Sequence, residues 1–464
     1  MQKFDFDVAV IGGGSGGYAA ARTAAGAGLK TVVIEGGKEV GGLCILRGCM
    51  PSKALLYAAE VKHLAEHAET WGVSAGKVTF NFARVMARKD AQIKDFADYR
   101  VKQLSDGRFK FIRANATFTD PHTLQLDNGR KLTAKHFVIA TGSVVSAAPL
   151  PQLAEAGYIT SDEALTLKKL PKSMIVLGGG LIAVELAQFF VRFGVRVTMI
   201  QRSAHVLKEF DVDASVVVEK VLRREGIRLH TDTKILDAKR TRKGRALVFE
   251  QAGKKNRVEA ETVLLALGRT PNTARLGLEC AGVKTEGARI ISNAGMRTSA
   301  PHIYAAGDCT GPHEIVHIAV TQGEVAAHNI LHPREPRRMD YRLLTSVVFT
   351  DPQVATVGLT EKEAKARKIP YLAASYPFND HGKSLIMETL DGFVKLLANP
   401  QTGEIIGGCC VGPVGGELIH EISVALAKRM TVRELAAMPH YHPTLAEIWT
   451  YPAEELAEQV LKPH

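Results

Sequence analysis

The chain has 464 residues, is 46% hydrophobic and 23% charged, and carries 42 glycines and a formal net charge of +11. Its length exceeds one ordinary core and predicts about three domains, while the composition excludes a disordered, collagenous or disulfide-stapled protein. No apolar run reaches the roughly 18 residues a membrane span needs, and six cysteines are too sparse for a secreted framework.

The positive charge describes a basic surface that also suits phosphate-bearing ligands. The longest basic stretch, Lys239 to Arg245, reads as a hairpin turn and has no interleaved aromatic residue, so nucleic acid is not an expected partner. A strand begins within the first few residues and leaves no room for a leader, so a cytoplasmic location is the expectation.

In chain order, Val8 to Ile11 forms an apolar strand, followed by Gly12-Gly13-Gly14-Ser15-Gly16-Gly17. An alanine-rich helix then runs to about Gly28, and Thr31 to Ile34 is a second strand ending at Glu35. Strand, glycine turn, helix and strand make a dinucleotide-binding unit. Gly12 permits the tight turn, Gly14 lets main chain approach a pyrophosphate, and Gly17 is small where helix meets strand.

Next comes Gly41-Gly42-Leu43-Cys44-Ile45-Leu46-Arg47-Gly48-Cys49-Met50-Pro51-Ser52-Lys53. Cysteines five apart meet if the chain between them loops or the segment opens a helix, and Pro51 suits an early helical position. A cysteine at a helix N-terminus, with Lys53 one turn on, has its thiolate favoured by dipole and charge, as disulfide exchange requires. A structural disulfide and half a zinc site are the other readings. Zinc lacks two further ligands nearby, so no metal is expected. A pair just downstream of a dinucleotide unit is best read as redox-active.

The pattern then recurs. Met174 to Leu177 is a strand, Gly178-Gly179-Gly180-Leu181-Ile182-Ala183 the turn, a helix runs to about Phe193, and Val195 to Ile200 is the next strand. Ala183 is small enough for the third position. Beyond Tyr341 the texture changes to antiparallel strands (Ser346 to Thr350, Gly392 to Leu397, Ile405 to Val411) and helices from Gly416 to Lys428 and Val432 to Met438. Cys409 and Cys410 fall in a predicted strand, facing opposite sides, and are read as ordinary buried thiols, as are Cys280 and Cys309.

Several motifs in order carry a family resemblance: the two glycine turns, GGLCILRGCMPSK, Ala140-Thr141-Gly142, Gly268-Arg269-Thr270-Pro271-Asn272, Tyr304-Ala305-Ala306-Gly307-Asp308 and His442-Pro443-Thr444-Leu445-Ala446-Glu447. Over nearly its whole length the chain resembles the class I pyridine nucleotide–disulfide oxidoreductases, the group of dihydrolipoamide dehydrogenase, glutathione reductase and mercuric reductase. The resemblance implies an α/β fold with two Rossmann-like domains and a C-terminal α+β dimerisation domain. Expected boundaries are 1–146 and 274–340 for FAD binding, 147–273 for NAD(P) binding and 341–464 for the interface.

By that resemblance the first unit holds FAD, with Glu35 on the adenosine ribose, Asp308 on the ribityl chain, and Ala116, Thr141, Gly142 and Gly307 lining the cofactor. Lys53 lies by the flavin ring and pairs with Glu185. Gly178, Gly180, Ile182 and Gly268 belong to the nicotinamide nucleotide. Electrons pass from nicotinamide to flavin to Cys49, and Cys44 is the outer thiol that attacks the substrate disulfide. His442, oriented by Glu447, is the acid–base and serves the partner subunit, which implies a homodimer.

The second unit's last strand ends Ile200-Gln201-Arg202-Ser203, with no acid for a free ribose 2′-hydroxyl. Arg202 and Lys208 suit a 2′-phosphate, so NADP(H) is expected over NAD(H). Leu43, Ile45 and Leu46 depart from the Thr and Asn of relatives and alter the surface around the outer thiol. The leading expectation is an NADP(H)-preferring reductase of a small disulfide. Its rivals are an NAD-dependent dihydrolipoamide dehydrogenase and a metal or quinone reductase. A nucleic-acid or complex-binding protein retaining only the scaffold is the remaining alternative.

Overall fold

The computed structural model describes residues 3–460 and divides the chain into two compact units. The first comprises residues 1–54, 83–147 and 268–339, and the second 55–82, 148–267 and 340–464.

The first unit is built on a seven-stranded sheet. Four parallel strands, Lys110–Arg113, Thr31–Glu35, Phe6–Ile11 and Lys131–Ile139, lie side by side in that order. Val8, Ala9 and Val10 are fully buried, as central parallel strands covered on both faces must be. Strand Lys131–Ile139 is long enough for two tasks. Its first half pairs antiparallel with Thr123–Leu126, and its second half pairs with Phe6–Ile11. Ile303–Ala305 adds to its other edge, in parallel with Phe137 to Ile139. The late segment therefore completes the first sheet.

The second unit carries a parallel sheet in the order Arg228–His230, Arg196–Ile200, Ser173–Leu177 and Thr262–Leu265. Beside it is an antiparallel meander of Thr233–Thr241, Gly244–Gln251 and Lys254–Ala260, whose first turn is the basic stretch foreseen as a hairpin. The C-terminal part has a five-stranded antiparallel sheet ordered Thr345–Val348, Gln353–Gly358, Ile405–Gly412, Phe393–Ala398 and Leu372–Pro377. Helices Gly415–Ala427, Val432–Ala437 and Thr450–Gln459 accompany it. Trp449 and Phe378 are among its fully buried side chains.

Cys309, Cys409 and Cys410 are buried as expected, and burial pushes the first two thiols up to about 12. Cys280 corrects the expectation, because it is exposed. It sits in the one-turn helix Leu278–Ala281, where Leu278 and Ala281 take the inward positions. Among the described residues, no helix is long and apolar enough to cross a membrane and no cluster of His, Cys, Asp and Glu could hold a metal ion.

Candidate active site

Each glycine turn has the geometry that its residues demand. Gly12 has φ +106, and a Cβ there would lie 2.3 Å from the Ala140 carbonyl oxygen. Gly178 repeats this with φ +119 and a Cβ 2.2 Å from the Ala266 oxygen. At Gly17 a Cβ would meet the Gly12 oxygen at 1.9 Å. Gly14 and Gly180 differ, since both have negative φ and cap their helices without any side-chain hydrogen bond. A Cβ would find open space at Gly180 and ordinary contact with Gly42 at Gly14. Neither first turn carries an acid, so two helix N-termini present free N–H groups of the kind that bind phosphate.

The ends of the second strands differ. Glu35 accepts hydrogen bonds from Gly13 N at 2.7 Å and Gly37 N at 2.7 Å, one on each carboxylate oxygen. A carboxylate offers about four lone-pair sites, so capacity remains for ribose hydroxyls. Gln201 occupies the same place in the second unit, against Gly179 as Glu35 lies against Gly13. Its amide closes on its own loop, accepting from Arg202 N at 3.1 Å and donating to the His205 carbonyl at 3.3 Å. Arg202 and Lys208 are exposed, and Lys208 lies 3.5 Å from Glu209. Ile182 is half-buried on the first helical turn.

The remaining predicted flavin contacts fall in the first unit, as does Gly268, expected at the nicotinamide nucleotide. Thr141 Oγ1 is buried without a hydrogen-bond partner, an orphan that a ligand would satisfy. Gly142, Gly268 and Gly307 all have positive φ. Asp308 opens a short 3₁₀ helix and accepts from Ser143 Oγ at 2.7 Å, a hydroxyl that also accepts from Arg269 Nε at 2.8 Å. The Ala116 side chain is buried in the core, so only its main chain can face a ligand. The open helix end, the orphaned Thr141 hydroxyl and the glycine cradle fit FAD.

Cys44 lies in the helix Gly42–Arg47, and Cys49 is the first residue of the helix Cys49–Glu66. Gly48 joins them, and a Cβ there would stand 3.0 Å from the Leu43 oxygen and 3.2 Å from Cys44 Cα. A side chain would crowd this fold-back, which glycine leaves clear. Ser52 ties the turn by donating to the Gly48 carbonyl at 2.8 Å. Neither cysteine is in a disulfide, and both are half-buried. The Cys44 thiol is pushed strongly up, first by its hydrogen bond with Cys49, then by burial and by charge on Cys49, while Lys53 opposes the shift. The two thiols are therefore in contact, with Cys49 at the N-terminus of its helix.

Near the outer thiol stands a residue that sequence patterning did not single out. Arg100 places its guanidinium 4.4 Å over the Tyr18 ring, and its Nε and Nη1 are buried without partners. Burial lowers its pKa, and Cys44 is among the charges that act on it.

Two of the predicted residues come together in the second unit. His442 Nδ1 is 3.0 Å from Glu447 Oε2, and the imidazole is otherwise 77% exposed. Thr444 N donates to the other carboxylate oxygen at 3.3 Å. Burial works to raise the Glu447 pKa, but the His442 hydrogen bond, the Thr444 N–H and the nearby histidines outweigh it and hold the carboxyl below its usual range. The neighbouring His440, not foreseen, binds Glu421 at 2.7 Å and the Met438 carbonyl at 3.0 Å, fixing the loop that presents His442. Glu185 is 2% exposed and accepts from Phe349 N at 2.9 Å, so it is no surface carboxylate. Lys53 is half-buried, four residues beyond Cys49.

Two dinucleotide units and a contacting thiol pair define a nucleotide-dependent dithiol–disulfide oxidoreductase. The chain belongs to the pyridine nucleotide–disulphide oxidoreductase family, whose model matches residues 6–323, with the family's dimerisation domain matching 344–453. It is an FAD-dependent enzyme that uses a pyridine nucleotide. Dihydrolipoyl dehydrogenase from Geobacillus stearothermophilus is 35% identical, over 97% of this chain and 95% of the relative. Mercuric reductase from Staphylococcus aureus is 34% identical, over 96% of this chain and 81% of the relative. Among solved structures, LpdA from Mycobacterium tuberculosis superposes with a TM-score of 0.87 at 28% identity, covering 97% of this chain and 99% of that one.

Proposed function

We propose that the chain carries two electrons between NADP(H) and a small disulfide, with Cys44 and Cys49 as the exchanging pair. The contact between these two sulfurs at the head of an 18-residue helix is the observation that carries the reading. Gly12, Gly14, Glu35, Thr141 and Asp308 would hold FAD, which would supply the two-electron relay between nicotinamide and thiols, with Lys53 as a further residue of its site.

With the pair reduced, His442 takes the Cys44 proton and the resulting Cys44 thiolate attacks one sulfur of the substrate disulfide. The S–S bond breaks, a mixed disulfide forms, and the leaving thiolate takes a proton from His442. Cys49 then attacks the Cys44 sulfur and releases the second substrate thiol. One substrate disulfide is reduced while one Cys44–Cys49 disulfide forms, so electrons balance. His442 Nδ1 is held by Glu447, which leaves Nε2 for proton exchange. In a homodimer, supported by the dimerisation-domain match, this His442–Glu447 pair serves the cysteines of the other subunit.

Preference for NADP(H) rests on Gln201 where an acid would bind a ribose 2′-hydroxyl, with exposed Arg202 and Lys208 nearby. The names of several relatives favour a second reading, NAD-dependent oxidation of dihydrolipoamide. Steady-state kcat/KM with NADPH and NADH, each against lipoamide and glutathione disulfide, separates the two. An advantage of tenfold or more for NADH would retire the NADP(H) reading.

A further inference from the structure

His381 is fully buried, yet it is a polar side chain with a second role to fill. It follows the 3₁₀ turn Phe378–Asp380, and its Nε2 lies 3.5 Å from Glu447 Oε1, on the opposite side of that carboxylate from His442. Its Nδ1 is 2.8 Å from Ser384 Oγ, which is also fully buried. An ionised carboxylate only accepts, so the His381 proton belongs on Nε2, and Nδ1 accepts from the Ser384 hydroxyl. At 3.5 Å the Nε2 contact is too long for a well-formed hydrogen bond, and no other partner satisfies that nitrogen.

A buried N–H left unmade is destabilising, so an apolar side chain would pack more favourably there. This nitrogen lies toward the carboxylate that holds the exposed acid–base histidine. We propose that His381, backed by Ser384, is a positioning residue: it braces Glu447 from behind so that Glu447 fixes the His442 ring. The chain of contacts runs Ser384, His381, Glu447, His442. Other groups facing His381 are aromatic, namely Phe378 and Tyr451, whose ring stacks on Tyr376, which in turn donates to Asp380. Burial lowers the His381 pKa, against the opposing influence of Glu447, and keeps the ring a neutral donor near pH 7.

The inference rests on the acid–base role proposed for His442, and one variant series tests the two separately. The FAD-loaded protein is assayed with NADPH or NADH and lipoamide at pH 7, as wild type, His442→Ala, His381→Leu and His381→Gln, with melting temperature for each. Leucine removes the donor, whereas glutamine can return an N–H near the lost Nε2. The expected result is a kcat loss of fivefold or more in His381→Leu, a KM within twofold, and recovery of most of the kcat in His381→Gln. Wild-type kcat in His381→Leu overturns the positioning role while His442→Ala remains crippled. Equal losses in the leucine and glutamine variants, tracking their melting temperatures, also overturn it by marking a structural role. If His442→Ala keeps kcat within twofold, the acid–base reading itself fails and the inference falls with it.

Discussion

Gly180 separates what the fold needs from what the ligand needs. Its φ is −77, and an added Cβ meets nothing within 4 Å, so Gly180→Ala fits the protein alone. The intrinsic cost is that of alanine at an N-cap, up to about 1 kcal/mol. A dinucleotide pyrophosphate approaching this helix end would meet the new methyl. Losing one charge-assisted N–H contact costs about 1.5–3 kcal/mol, which is roughly ten- to a hundredfold in affinity. Gly178→Ala is the counter-experiment, because φ +119 and a Cβ 2.2 Å from the Ala266 oxygen strain the backbone without any ligand. Fluorescence titration with NADPH, with melting temperature and flavin content alongside, should find Gly180→Ala folded, fully flavinated and at least tenfold weaker for the nucleotide. Gly178→Ala should melt earlier. Wild-type nucleotide affinity in a folded Gly180→Ala would refute the assignment of this turn to the pyridine nucleotide.

Cys44→Ser removes the attacking sulfur, and disulfide turnover should fall by about a thousandfold or more while flavin content stays intact; substantial residual lipoamide reduction would place the exchange elsewhere. Gln201→Glu returns an acid to the strand end, and the NADPH-to-NADH ratio of kcat/KM should fall by about tenfold or more through repulsion of a 2′-phosphate and a new ribose acceptor. An unchanged ratio would show that this strand end does not meet the ribose. His136 has a buried, unpartnered Nδ1, and its pKa is lowered to about 4, mostly by burial and then by Lys135, His302 and His122. The unfolded chain therefore binds more protons below about pH 6.5, so this contribution is complete above 6.5 and is lost as pH falls toward 4. Its ceiling is on the order of 3 kcal/mol, set by the fall from the ordinary imidazole value to about 4. Between pH 7.5 and 4.5, His136→Gln should lose less melting temperature than wild type; an equal loss would remove His136 from the acid response.

What could be read from the chain was whatever a single backbone constraint imposes on residue type. Gly12 and Gly178 announce themselves because no side chain fits beside Ala140 and Ala266, and Gly48 because the cysteines must turn back on each other. Three of the five C-terminal strands were visible as short segments rich in apolar residues, while Gln353–Gly358 and Leu372–Pro377 were not. Strand Ile303–Ala305 is three residues long and gains its identity only by pairing with Phe137 to Ile139, so no local pattern reveals that the late segment completes the first sheet. Cys280 escaped for a related reason, since a four-residue helix is too short to show a period. His381 was invisible because its burial and its orientation to Glu447 arise from packing between segments far apart in sequence.

The two nucleotide units share a strand–turn–helix–strand plan but carry different side chains at matching strand ends. Glu35 and Gln201 occupy equivalent places against Gly13 and Gly179, yet the carboxylate is held by two main-chain N–H groups and the amide folds onto its own loop. The first arrangement keeps a negative charge at the strand end. The second removes that charge without disturbing the turn. If this strand end meets the ribose as proposed, discrimination between a hydroxyl and a phosphate changes there while the glycine turn stays the same.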